Sequence, residues 1–180
     1  VQRRGITRSI RSERKSREET AMGMTLGSIH FRGGLPEELR EDFPYRRERE
    51  ERTSLYDEAW EDLRLLQETA KRFSSLLRLP VLACYLCDED ALVLTLYSRG
   101  RRAAECMATA NDEIAGKPVR PEVMASAFGT DDPKGAALQK LMTDEDPDEP
   151  EDMMERIEAL SAYFDFPLVP DREISDTMYR

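Results

Sequence analysis

Apolar positions recur along this chain with two different periods, and the change of period divides it. Ala59, Leu63, Leu66, Ala70, Phe73 and Leu77 step by 4, 3, 4, 3 and 4, which is one stripe along a helix. Trp60 widens the stripe. Ser54 and Asp57 stand at N-cap and N3 spacing, a variant of the capping box. Pro80 stops the pattern, so one long helix is predicted over about 54–78. The period then shortens. Val81–Leu86 is an apolar run of strand length, Asp88–Asp90 a turn, and Ala91–Tyr97 a second strand. A turn at Ser98–Gly100 leads to a third strand from Arg102 to Met107, completing an antiparallel meander. The middle run is apolar on both faces, which predicts cover on both sides.

Upstream, Thr25–Phe31 reads as a short strand before a turn at Gly33-Gly34. Pro36–Arg40 opens a short helix that Pro44 interrupts. Residues 45–52 are a dense mixture of Arg and Glu with no assigned element. Downstream the pattern is helical. Pro121–Phe128 ends at Gly129, and Gly135–Met142 follows. Pro150–Phe164 carries Met153, Ile157, Leu160 and Phe164 on one face and is closed by Pro167. The fold class predicted is α+β: a small antiparallel sheet, made of the meander and a short N-terminal strand, packed by one long helix, with a helical C-terminal part.

Composition changes this picture in two ways. The 180 residues include 27 Lys+Arg, 37 Asp+Glu and one His, for a net charge of −10. Charged residues make up 36%, against about 25% in ordinary globular chains. That predicts a well-solvated protein with a modest core. The charge is also uneven. Residues 1–22 carry +4 and, of Ile, Leu and aromatic residues, only Ile6 and Ile10, so they are predicted to be a basic disordered extension. Residues 23–180, predicted to be a single acidic domain, then carry −14. The chain begins with Val, and Met22 and Met24 make a later start plausible. No apolar run approaches the roughly 20 residues of a membrane helix, and residues 1–22 do not read as a secretory signal, since they lack its apolar stretch of about 7–15 residues. A cytoplasmic protein is expected, with no membrane association.

Candidate chemistry is sparse. Cys84 and Cys87 form a CxxC, but inside a strand they point to opposite faces and neither pair nor chelate readily. Cys106 and His30 are the other His/Cys candidates, and the count of three cysteines is low and odd for a disulfide framework. Asp144, Asp146, Asp148, Asp152 and Glu155 fall at positions 1, 3, 5, 9 and 12 of an EF-hand loop. Glu149 replaces the glycine required at position 6, and Pro147 and Pro150 restrict the path. The favoured reading is a solvated acidic loop, since residues 143–155 hold eight acids and no base. His30, alone on its strand, reads as structural. No nucleophile elbow, Walker A or dinucleotide loop occurs. No catalytic residue, metal or cofactor is therefore assigned.

The order of a short strand near Met24, a long helix ending in Leu79-Pro80-Val81, a hairpin, Ala127-Phe128-Gly129 and a last helix ending in Phe166-Pro167-Leu168 resembles small acidic α+β proteins of bacteria. Some of these are candidate immunity proteins. The resemblance spans roughly residues 24–170 and implies no site residue. The expected function is protein binding, in an immunity or inhibitor role against a basic partner, because an acidic surface steers basic partners and repels nucleic acid. The rivals are a metal-assisted hydrolase using Asp144, Asp146 and Asp148, and a structural or self-assembling protein. The basic N-terminal arm alone favours nucleic acid, and it lacks interleaved aromatic residues for base stacking.

Overall fold

The computed structural model describes residues 25–88, 90–109, 119–143 and 153–179. The predicted 1–22 extension lies outside them. So do Asp144, Asp146, Asp148 and Asp152. Six strands, β1 (Leu26–Arg32), β2 (Arg46–Arg49), β3 (Arg52–Tyr56), β4 (Val81–Cys87), β5 (Ala91–Ser98) and β6 (Arg101–Thr109), form one sheet. Its order is β2-β3-β1-β4-β5-β6, and every neighbouring pair is antiparallel. Five helices accompany it: α1 (Leu63–Leu76), α2 (Pro121–Ala127), α3 (Ala136–Met142), α4 (Met153–Phe164) and α5 (Arg172–Met178). The protein is α+β.

Alternation along the strands builds two cores. Ile29, Phe31, Leu55, Val81 and Ala83 face α1, whose Leu66, Ala70 and Phe73 are buried against them. The Phe31 and Phe73 rings stack with centroids 6.0 Å apart. Leu82, Cys84, Leu86, Leu92, Leu94 and Leu96 face the other way, beneath Met124, Leu138, Ile157, Leu160 and Phe164 of the C-terminal helices. Cover on both faces explains why β4 and β5 read as nearly continuous apolar runs. Each such buried side chain contributes roughly 1.5–3 kcal/mol.

The helix predicted from Ser54 begins at Leu63. Asp62 is its N-cap, accepting from Arg64 N–H at 2.8 Å and Leu65 N–H at 3.3 Å. Asp57 instead caps a short 3-10 turn, Glu58–Glu61, through Ala59 N–H. Ser54 lies in β3. There Thr53 and Leu55 face α1 while Ser54 and Tyr56 face the opposite side, a period of two that the capping-box spacing masked. The turn brings Trp60 hard against β1. A Cβ at Gly27 would collide with Trp60 Cβ and sit 2.5 Å from its carbonyl oxygen, so only glycine allows this approach. The Arg/Glu stretch holds β2, and the helix at Pro36 reduces to a 3-10 turn at Glu37–Leu39. The short helix α5 was not expected; Asp171 caps it by accepting from Ile174 N–H at 3.0 Å. Among the described residues no helix is long and apolar enough to cross a membrane.

Candidate functional site

One row of directly opposed residues crosses the sheet on the face that the C-terminal helices cover. It runs Ala104, Leu96, Leu82, His30, Ser54, Arg47, from β6 to β2. Its character passes from apolar, to buried imidazole, to hydroxyl, to guanidinium. The cover ends where the charge begins. Beyond His30 the overlying chain is no longer a helix but the segment 165–169.

Side chains of the sheet hold that segment by its backbone. Tyr56 donates its hydroxyl to the Pro167 carbonyl at 2.6 Å, and Ser28 donates to the Leu168 carbonyl at 2.6 Å. Ser161 Oγ accepts from Leu168 N–H. Phe166 and Leu168 are buried beneath it. These bonds fix the imidazole of His30. Ser28 has one hydroxyl proton, given to Leu168, so it accepts from His30 Nε2–H at 2.8 Å. Nδ1 is then the bare nitrogen and accepts from the Ser54 hydroxyl at 2.9 Å. Complete burial pushes the His30 pKa down to about 3, so the ring is neutral and both nitrogens are satisfied. It is a structural histidine at neutral pH.

The outermost row of the same face is Arg32, Arg52 and Arg49, directly opposed across β1, β3 and β2. Arg47 lies two residues from Arg49 on the same side. Like charges in opposed positions destabilise a sheet, so their partners matter. Arg32 donates to the Phe128 carbonyl. Arg47 pairs with Asp171, the cap of α5. Arg52 Nη2 lies 2.8 Å from Asp165 Oδ2, and its guanidinium stands 6.0 Å from the Phe166 ring centroid. Arg49 makes no ion pair among the described residues. The Arg52 Nε atom is buried and has no hydrogen-bond partner.

Between β2, β3 and residues 161–167 these side chains line an open cleft of about 380 Å³. Arg47, Arg49, Glu50, Arg52, Ser54, Ser161 and Asp165 supply its polar wall. The fold of this acidic chain therefore gathers three bases into this cleft, against two acids, Glu50 and Asp165. A second groove of about 520 Å³ lies on the α1 face between Leu39, Phe43, Phe73 and Leu76, with Asp42 and Arg72 as its charged residues. It has no convergent set of charges.

The residues singled out in the sequence are placed as follows. Cys84 is buried on the face of the C-terminal helices, and Cys87, three residues on, is half-buried near the end of β4. Cys84, Cys87 and Cys106 carry free thiols. Burial pushes Cys84 and Cys106 up to about 12, so neither supplies a thiolate at neutral pH. Glu155 is exposed on α4; the other four members of its acidic set lie outside the described residues. Among the described residues no group of three or more His, Cys, Asp or Glu side chains could hold a metal ion.

Asp132, not singled out, is a local support. Burial alone would raise its carboxyl, but bonds from Leu138 N–H, the Tyr163 hydroxyl, Ala136 N–H and Ala137 N–H outweigh that and hold it below its ordinary range. It caps α3 and ties it to α4. The cleft was missed because its arginines read as a solvated charge run. The available signal was the alternation of Arg47 and Arg49, then Arg52 and Ser54, about the two residues Glu50-Glu51. Comparisons with protein-family models, curated proteins and solved structures found no match to this chain.

Proposed function

We propose that the protein works by binding another protein, and that the arginine cleft receives acidic side chains of that partner. The observation that carries this reading is the Arg32–Arg52–Arg49 row, in which three guanidinium groups share one sheet face and Arg49 makes no ion pair among the described residues. Guanidinium forks bind carboxylates side-on with charge-assisted hydrogen bonds, and partly desolvated sites strengthen them. The cleft is two strands wide and flanked by Glu50 and Asp165. It fits one or two carboxylates rather than the continuous backbone of a nucleic acid. Its one aromatic ring, Phe166, is buried beneath Arg52 and offers no stacking platform.

The expected basic partner rested on overall acidity, and seven of the acids fall in residues 144–152, outside the described residues. The organised surface favours the opposite charge. An immunity or inhibitor role is compatible with either sign. Self-assembly has less support. Among the described residues the exposed large apolar side chains are Leu65 and Leu76 at opposite ends of α1, Val119 beside β6 and Tyr179 at the end of α5, and the edge strand β2 is short and charged, which discourages edge pairing. Three free thiols favour a reducing compartment such as the cytoplasm.

Fluorescence anisotropy of labelled hexaglutamate tests the reading. Saturable, salt-sensitive binding is expected, weakened roughly three- to ten-fold by Arg49→Ala. Preferential binding of hexalysine would return the reading to a basic partner. Preference for a six-nucleotide single strand would contradict a protein partner.

A further inference from the structure

Arg52 is half-used in a particular way. The Nε–H and Nη2–H of a guanidinium form one edge that a carboxylate fills with two parallel hydrogen bonds. Asp165 meets Nη2 at 2.8 Å, while Nε is buried without a partner. A buried donor left unsatisfied is costly, so the internal pair is an incomplete version of the bond this edge is shaped to make. Asp165 is also poorly placed to hold that edge permanently. Its side chain is 73% exposed, it follows the end of α4, and its backbone has a φ of 57°, in the left-handed region. Phe166 and Pro167, immediately after it, are fixed to the sheet by burial and by the Tyr56 hydroxyl. The carboxylate can therefore leave Arg52 by rotating its side chain, with the anchored backbone unmoved.

From this geometry we infer that Asp165 is a built-in competitor: its carboxylate stands in for that of the partner, which displaces it and takes both Nε–H and Nη2–H of Arg52, with Arg49 alongside. The inference rests on the proposed acidic-partner reading and adds a mechanism to it. Binding is an exchange of one carboxylate for another at Arg52. The charge facing Arg52 is thus the same before and after binding, and selectivity comes from the second hydrogen bond.

The test compares hexaglutamate affinity for the full chain and three variants, with thermal melts confirming that each is folded. Asp165→Asn removes the competing charge while keeping a residue type that tolerates left-handed backbone. Glu68→Gln, on α1 across the sheet, removes the same charge from a distance. Asp165→Asn is expected to tighten binding roughly two- to five-fold, the range set by an exposed ion pair, and Glu68→Gln to leave it unchanged. Equal tightening by both would show a bulk-charge effect and overturn the exchange. Unchanged or weaker binding by Asp165→Asn, with Arg49→Ala still weakening it, would overturn the exchange and leave the cleft standing. If Arg49→Ala and Asp165→Asn both leave affinity unchanged, the cleft reading itself fails.

Discussion

The two ends of one sheet face differ more than the two faces do. At the β6 end, Ala104, Leu96 and Leu82 lie under α2–α4 and are almost wholly buried. At the β2 end, Arg47, Arg49 and Arg52 sit in the same pleat, with the same alternation, but Arg47 and Arg52 are only half-buried and Arg49 is exposed. Strand geometry cannot distinguish them. The difference lies in what covers each end: packed helices at one, and at the other the non-helical segment 165–169, held by hydroxyl-to-carbonyl bonds from Tyr56 and Ser28, with the cap of α5 paired to Arg47. Polarity follows the cover, and His30, Ser54 and Ser28 form the seam between the two regimes. A site can therefore be built on a rigid sheet without a loop to carry it, simply by leaving one corner of the face thinly roofed.

Substitutions along this row test the contrast. Leu82→Ala, at the covered end, should cost about 3 kcal/mol in urea denaturation, from lost burial and the cavity left behind. A loss below about 1 kcal/mol would mean that the covered end is loosely packed. At the seam the expected effect is smaller and depends on pH. The His30 pKa is lowered to about 3 in the folded state from about 6.5 unfolded. The unfolded chain therefore binds a proton that the folded chain refuses. Stability is full above about pH 6.5 and falls as the pH drops toward 3. Between pH 7 and pH 5 the loss from this group is about 2 kcal/mol, and a His30→Leu variant should lack that component. Identical pH profiles for the two proteins would place His30 in water. The smallest effect belongs to the open end. Arg49→Ala should change stability by no more than about 0.5 kcal/mol, and the sign favours stabilisation, since it removes a like charge opposite Arg52. A large loss would make Arg49 structural rather than available to a ligand.

Much of the fold was legible before any coordinates. The meander β4–β5–β6 announced itself by length and apolar content, and α2, α3 and α4 by prolines, glycines and a 3.6-residue period. The stripe from Leu66 to Phe73 was also correct. What failed was the hairpin β2–β3. Its two-residue turn is Glu50-Glu51, with Glu50 at a φ of 49°, and lacks the Asn or Gly that usually marks such turns. Its first strand contains no apolar residue to show a period. Ser54 and Asp57 also imitated a helix cap. Because the hairpin was invisible, so was the cleft. The row of Arg32, Arg52 and Arg49 exists only through the register of strands separated by up to twenty residues of chain, and no local spacing encodes it. The sequence motifs that did stand out, the CxxC and the acidic ladder, were conspicuous because they were local.

The central claim is that the cleft binds a carboxylate through both donors of the Arg52 edge. The most direct measurement is the side-chain ¹H–¹⁵N resonance of Arg52 Nε during titration with hexaglutamate, assigned by its loss in Arg52→Lys. The account predicts a saturable downfield shift of that one resonance as the orphaned N–H gains an acceptor, with Arg49 Nε moving in parallel. A resonance that stays fixed while the peptide binds elsewhere on the surface would contradict it.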